Sequence, residues 1–84
     1  MHYDVLEVTP LDHLTLAVKF ADGVHGNVQL KPSHLYGVFA ALKDPEIFRR
    51  VHCRNGFVEW PGDIDLAPDA MYASIVENGS WVLE

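Results

Sequence analysis

The sequence predicts a small α+β domain: an antiparallel β-meander sheet with short helices packed on one face. Three observations carry that expectation. Thr15 to Phe20 alternates polar and apolar side chains, and a second alternating run at 24–30 follows across Asp22-Gly23, a strong hairpin signal. The period then changes, with Leu35, Val38, Phe39 and Leu42 at the i, i+3, i+4, i+7 spacing of an amphipathic helix. Finally, 84 residues with 49% hydrophobic side chains suffice for one domain with a small core.

The elements come in this order. Residues 5–9 read as the first strand, stopped by Pro10. In the second strand Leu16, Val18 and Phe20 share a face, opposed by Val24, Gly26, Val28 and Leu30 in the third, which Pro32 ends. After the amphipathic segment, Asp44-Pro45-Glu46 reads as a fresh helix start: Asp as N-cap, Pro at the first position, Glu in the first turn. Its apolar face is Ile47, Phe48 and Val51, so the helical region breaks at Lys43-Asp44. Residues 52–54 and 57–60 flank Asn55-Gly56, a second hairpin signal. Pro61-Gly62 turns the chain, Leu66-Ala67-Pro68-Asp69 opens a last helix, and Asn78-Gly79 stops it. The structured core is expected over about 3–78, followed by a brief apolar tail. Leu83-Glu84 matches a residue pair left where a purification tag is joined.

Charge narrows the function classes. Twelve acids against six Lys and Arg give a net charge of −6. Nucleic-acid affinity comes mostly from neutralising phosphates, so this domain alone is not expected to bind DNA or RNA, despite the closeness of Arg49, Arg50 and Arg54. No apolar run approaches a membrane span, and the start of the chain lacks the pattern of a signal peptide. With a single cysteine, Cys53, these features point to the cytoplasm.

Several side chains could carry chemistry. Asp63, Asp65 and Asp69, with Glu59 nearby, could hold a hard cation, but they miss the calcium-loop pattern. The structural alternative gives Asp65 a turn-capping role and sets Asp69 against the dipole of the last helix. His2, His13, His25, His34 and His52 show no metal-ligand spacing. Cys53 neighbours His52, yet adjacent strand residues point to opposite faces, so Cys53 reads as a small core residue. No nucleophile elbow, phosphate-binding Gly loop or dinucleotide fingerprint is present; no catalytic residue and no cofactor is expected. Phe57, Trp60, Tyr72 and Trp81 form an aromatic group, and Trp81, beyond the last helix, is a candidate anchor for a partner or a second copy. Exposed edges of the meander offer another route to a homodimer.

Three segments together resemble a known family. They are Phe20-Ala21-Asp22-Gly23, the run from Phe39 to Phe48 with its Asp44-Pro45, and Trp60-Pro61 with Asp65-Leu66-Ala67-Pro68-Asp69-Ala70-Met71-Tyr72. Over about 3–72 the chain resembles the bacterial domain-of-unknown-function family 2442. It departs at one place: Gly62-Asp63 stands where the family has Asn-Gly after Trp-Pro. Either Gly62 takes over the turn or the loop differs locally. The resemblance implies a small accessory module whose partner is a small protein encoded nearby, with an antitoxin-like role. It also leaves a component of a transcriptional regulator as an alternative, since some longer relatives carry a helix-turn-helix. On that basis Trp60, Pro61, Asp63, Asp65, Asp69 and Tyr72 are the expected partner-binding residues. A ligand- or metal-binding use of the same loop, from Trp60 to Asp69, is the other alternative.

Overall fold

The computed structural model of the chain describes residues 3–84; the His2 expectation lies outside them. Among the described residues seven strands form two sheets, of order β1-β2-β3-β7 and β4-β5-β6. The α+β class is as expected, but the sheets are two rather than one.

The first sheet begins with the meander. β1 (Val5–Leu11) pairs antiparallel with β2 (Thr15–Phe20), and β2 with β3 (His25–Leu30). β1 runs through Pro10, which pairs with Leu16, instead of stopping there. The reason is its place at the edge of the sheet, where a missing N–H costs no ladder bond on the open side. At Asp22-Gly23 the hairpin forms with Gly23 alone at positive φ (93°), closed by Gly23 N–H to the Phe20 carbonyl at 3.0 Å. Asp22 contributes through its carboxylate, which accepts from Val24 N–H at 3.0 Å.

The next segment departs from expectation. Pro32–His34 and Gly37–Lys43 are 3-10 helices, not an α-helix. At three residues per turn the side chains no longer follow the 3.6-residue spacing. Leu35 and Leu42 are buried and Phe39 partly so, but Val38 is 64% exposed. The break before α1 (Pro45–Phe48) falls where predicted, and the Asp44 carboxylate caps it by accepting from Glu46 N–H at 2.9 Å.

The second sheet is built on the Asn55-Gly56 turn, with φ of 53° and 82°, joining β4 (His52–Arg54) to β5 (Phe57–Trp60). A third strand, β6 (Ile64–Leu66), carries no signal of its own in the sequence; it returns along β5 after the Pro61–Asp63 turn. The backbone of β1 meets this sheet where Val5 N–H donates to the Gly56 carbonyl at 2.9 Å.

α2 (Pro68–Asn78) ends at Gly79, φ 81°, whose N–H returns to the Ile75 carbonyl at 2.7 Å. The chain then forms β7 (Ser80–Leu83), where the sequence suggests only a brief tail, and β7 pairs parallel with β3. A purely antiparallel sheet is therefore corrected to a mixed one. The helix between them makes the parallel return possible, since parallel neighbours need a crossover. α2 sits so close to β3 that a Cβ on Gly26 would lie 2.6 Å from the Gly79 carbonyl oxygen.

One hydrophobic cluster joins these parts. Leu16, Phe20, Val28 and Leu30 supply it from the first sheet, Val58, Trp60, Ile64 and Leu66 from the second, and Met71 and Ile75 from α2. Among the described residues no polar or charged side chain is buried. None of their helices is long and apolar enough to cross a membrane.

Candidate functional site

The segment from Trp60 to Tyr72 divides into an internal post, an exposed acidic hairpin and a separate tyrosine contact. Trp60 is the post. Only 2% exposed, it packs on Phe48 at a ring separation of 6.0 Å, and its indole N–H donates to the Phe48 carbonyl at 2.9 Å. That bond satisfies the one polar atom of a buried indole and locks β5 to α1.

Beyond Trp60 the chain turns outward. Pro61 and Asp63 are exposed, and both Gly62 (φ 96°) and Asp63 (φ 62°) take the left-handed conformation. Gly62 thus does not take over the turn alone; Asp63 shares it, which aspartate tolerates better than most residues. A shallow hollow of about 290 Å³ lies beside the turn, lined by His52, Arg54, Glu59 and residues 60–63.

Strand alternation sends Val58, Trp60, Ile64 and Leu66 inward and Glu59 and Asp65 outward. The register sets Glu59 directly across from Asp65 on one side and from His52 on the other. The Glu59 carboxylate lies 3.1 Å from His52 Nε2 and 3.9 Å from an Arg54 guanidinium nitrogen. Asp65 is exposed, and Asp69, in the first turn of α2, accepts from Ala70 N–H at 2.9 Å. Among the described residues no group of three or more His, Cys, Asp or Glu side chains could hold a metal ion. Asp63, Asp65 and Asp69 are not gathered into such a group.

Tyr72 looks elsewhere. Its ring lies 4.8 Å from that of Tyr3 and meets Phe20 edge-on at 5.0 Å, and its hydroxyl donates to the Asp22 carboxylate. That bond, with the Val24 N–H bond, holds Asp22 below the usual carboxylate range. The same bond, and then burial, push the Tyr72 phenol up. Trp81 lies on β7 opposite Val28, partly buried against the core. Cys53 points inward opposite Val58, and burial followed by the nearby Glu7 charge pushes its thiol up, away from nucleophilic character.

Two participants escape a reading of the sequence. Asp22 is marked there only as a turn residue, and no local signal ties it to Tyr72. His52 beside Glu59 is within reach: a two-residue Asn55-Gly56 turn sets 54 against 57 and therefore 52 against 59.

The molecule is thus a small α+β domain that carries an exposed, carboxylate-bearing hairpin on a buried tryptophan. The chain belongs to the family described as Protein of unknown function (DUF2442), whose profile matches residues 5–77. No curated protein and no solved structure gives a significant match.

Proposed function

We propose that this domain is a non-enzymatic interaction module whose β5–β6 hairpin meets a small basic protein. One observation carries the proposal. Glu59 and Asp65 stand directly opposite each other on the outward face, with Asp63 exposed in the turn between their strands. Like charges in that position oppose strand pairing. His52 and Arg54 lie beside Glu59, whereas Asp63 and Asp65 make no ion pair among the described residues; exposed, unpaired carboxylates on a platform braced by Trp60 suit a purpose other than folding. Together with the net charge of −6, they favour encounter with a basic surface and discriminate against acidic ones.

In its finer form the partner is encoded nearby and is neutralised on binding, an antitoxin-like role exercised in the cytoplasm. The resemblance supports that form, as do the lone cysteine and the lack of an apolar span. The test is a tagged pulldown from the native cell with the neighbouring gene product present, followed by affinity measurement on the purified pair. One stoichiometric basic partner is expected, bound on the order of tenfold more weakly by Asp63→Asn/Asp65→Asn and more weakly still at high salt. Unchanged affinity in that double variant would overturn the acidic-face proposal.

A further inference from the structure

A second concavity of similar volume lies on a different part of the molecule and shares no residue with the acidic hairpin. The β1–β2 turn and the junction between the second 3-10 helix and α1 enclose about 300 Å³. This is the small end of the range for ligand sites, roughly 300–1,000 Å³. Leu42 and Phe48, both buried, and Leu14, partly buried, form its apolar base, and Leu11, 43% exposed, stands at its mouth.

Lys43 and Arg49, both exposed, supply charge to the same cleft. The chain has only six Lys and Arg against twelve acids, so two cations at one apolar opening run against its overall balance. Lys43 makes no ion pair among the described residues, while Glu46 holds the Arg49 guanidinium at 2.6 Å. That single contact orients the guanidinium and leaves further N–H donors. Asp12 is the one acid in the lining.

The turn on the other wall is under backbone strain. His13 and Leu14 both take positive φ, 61° and 54°, a conformation unfavourable for a leucine. Leu30 N–H donating to the Leu14 carbonyl at 2.9 Å holds it there, with the Leu14 side chain against the core under the cleft. Strain retained beside a concavity is a feature of ligand clamps.

We propose that this cleft binds a small amphipathic anion: a carboxylate at Lys43 and Arg49, with its apolar tail over Leu14, Leu42 and Phe48. Octanoate is a suitable probe. Titrated into the labelled protein below its micelle threshold, it should cause saturable amide shifts centred on His13, Leu14, Leu42 and Lys43. Octan-1-ol, with the same tail and no charge, should bind on the order of tenfold more weakly. Lys43→Gln/Arg49→Gln should erase that difference by weakening octanoate alone, with the thermal midpoint unchanged because both side chains are exposed. Leu11→Glu, which sets a carboxylate at the mouth, should abolish octanoate binding. Scattered or non-saturating shifts would overturn the site, and equal binding of octanol and octanoate by the natural sequence would overturn its anion specificity.

Discussion

The Tyr72 hydroxyl donates to the Asp22 carboxylate and ties α2 to the β2–β3 turn across 50 positions of chain. The turn, in effect, is held from two sides, since the same carboxylate side chain also accepts from Val24 N–H.

This contact sets a pH window. Asp22 is lowered in the folded state, so its contribution is present above the ordinary carboxylate value of about 4 and is lost as pH falls through the lowered value. Tyr72 is raised, so its contribution is complete below the ordinary phenol value of about 10 and is lost as pH rises through the raised value. Urea melts across pH should show a plateau between these limits with a fall on each side. Tyr72→Phe should lower the plateau and flatten the alkaline fall; an alkaline limb identical to that of the natural sequence would assign the titration to another group.

Trp60 is a buried brace between β5 and α1. Trp60→Phe leaves the Phe48 carbonyl without its indole donor and removes buried volume. The carbonyl keeps its 3.3 Å bond from Val51 N–H, so losing the indole bond costs about 0.5–1.5 kcal/mol before the loss of packing is added, a noticeable share of the roughly 5–15 kcal/mol typical of a folded domain. Equilibrium denaturation measures the loss. A cost below about 0.5 kcal/mol would mean that the remaining Val51 N–H bond and repacking around Phe48 make good the loss.

Gly26 is required for space. A Cβ there meets the Gly79 carbonyl oxygen at 2.6 Å and Ile75 Cγ2 at 2.8 Å, so Gly26→Ala has to push α2 off β3. Overpacking of this kind costs about 1–3 kcal/mol. Gly62→Ala is the contrast: it meets open space, and its cost of about 1–2 kcal/mol arises from φ 96° alone. Amide exchange should quicken along α2 and β7 in the first variant and stay unchanged there in the second.

On the proposed reading, the acidic hairpin should gain stability when one of its facing carboxylates is replaced. Asp65→Lys replaces a repulsion with Glu59 by an attraction, worth about 0.2–1 kcal/mol before solvent screening. A higher melting temperature coupled to weaker partner binding is the expected pair of results. A variant no more stable than the natural sequence would show that His52 and Arg54 already offset the repulsion at Glu59.

The local punctuation of this chain was legible from the sequence. Asp22-Gly23 and Asn55-Gly56 mark hairpins, Asp44-Pro45-Glu46 starts α1, and Gly79 ends α2. Each signal works within a few residues, through allowed backbone angles and bonds to nearby N–H groups. The Leu35 to Leu42 spacing misled because 3-10 and α geometry share the i, i+3 neighbour, while only the α-helix also brings i+4 onto the same face. For the candidate site, the outward Glu59–Asp65 pairing required β6, a strand of three residues too short to show a period.

By itself, then, the sequence determined the α+β class, the two hairpins, the start of α1 and the end of α2. Only the tertiary structure decided that residues 80–83 join β3 in parallel, that Trp60 turns inward to Phe48, and that Tyr72 reaches Asp22. It also brought Lys43 and Arg49 to an apolar cleft beside the β1–β2 turn. These are pairings between distant parts of the chain. No local propensity encodes them; they form because docking α2 on Gly26 and closing the shared core of both sheets bring those groups within reach.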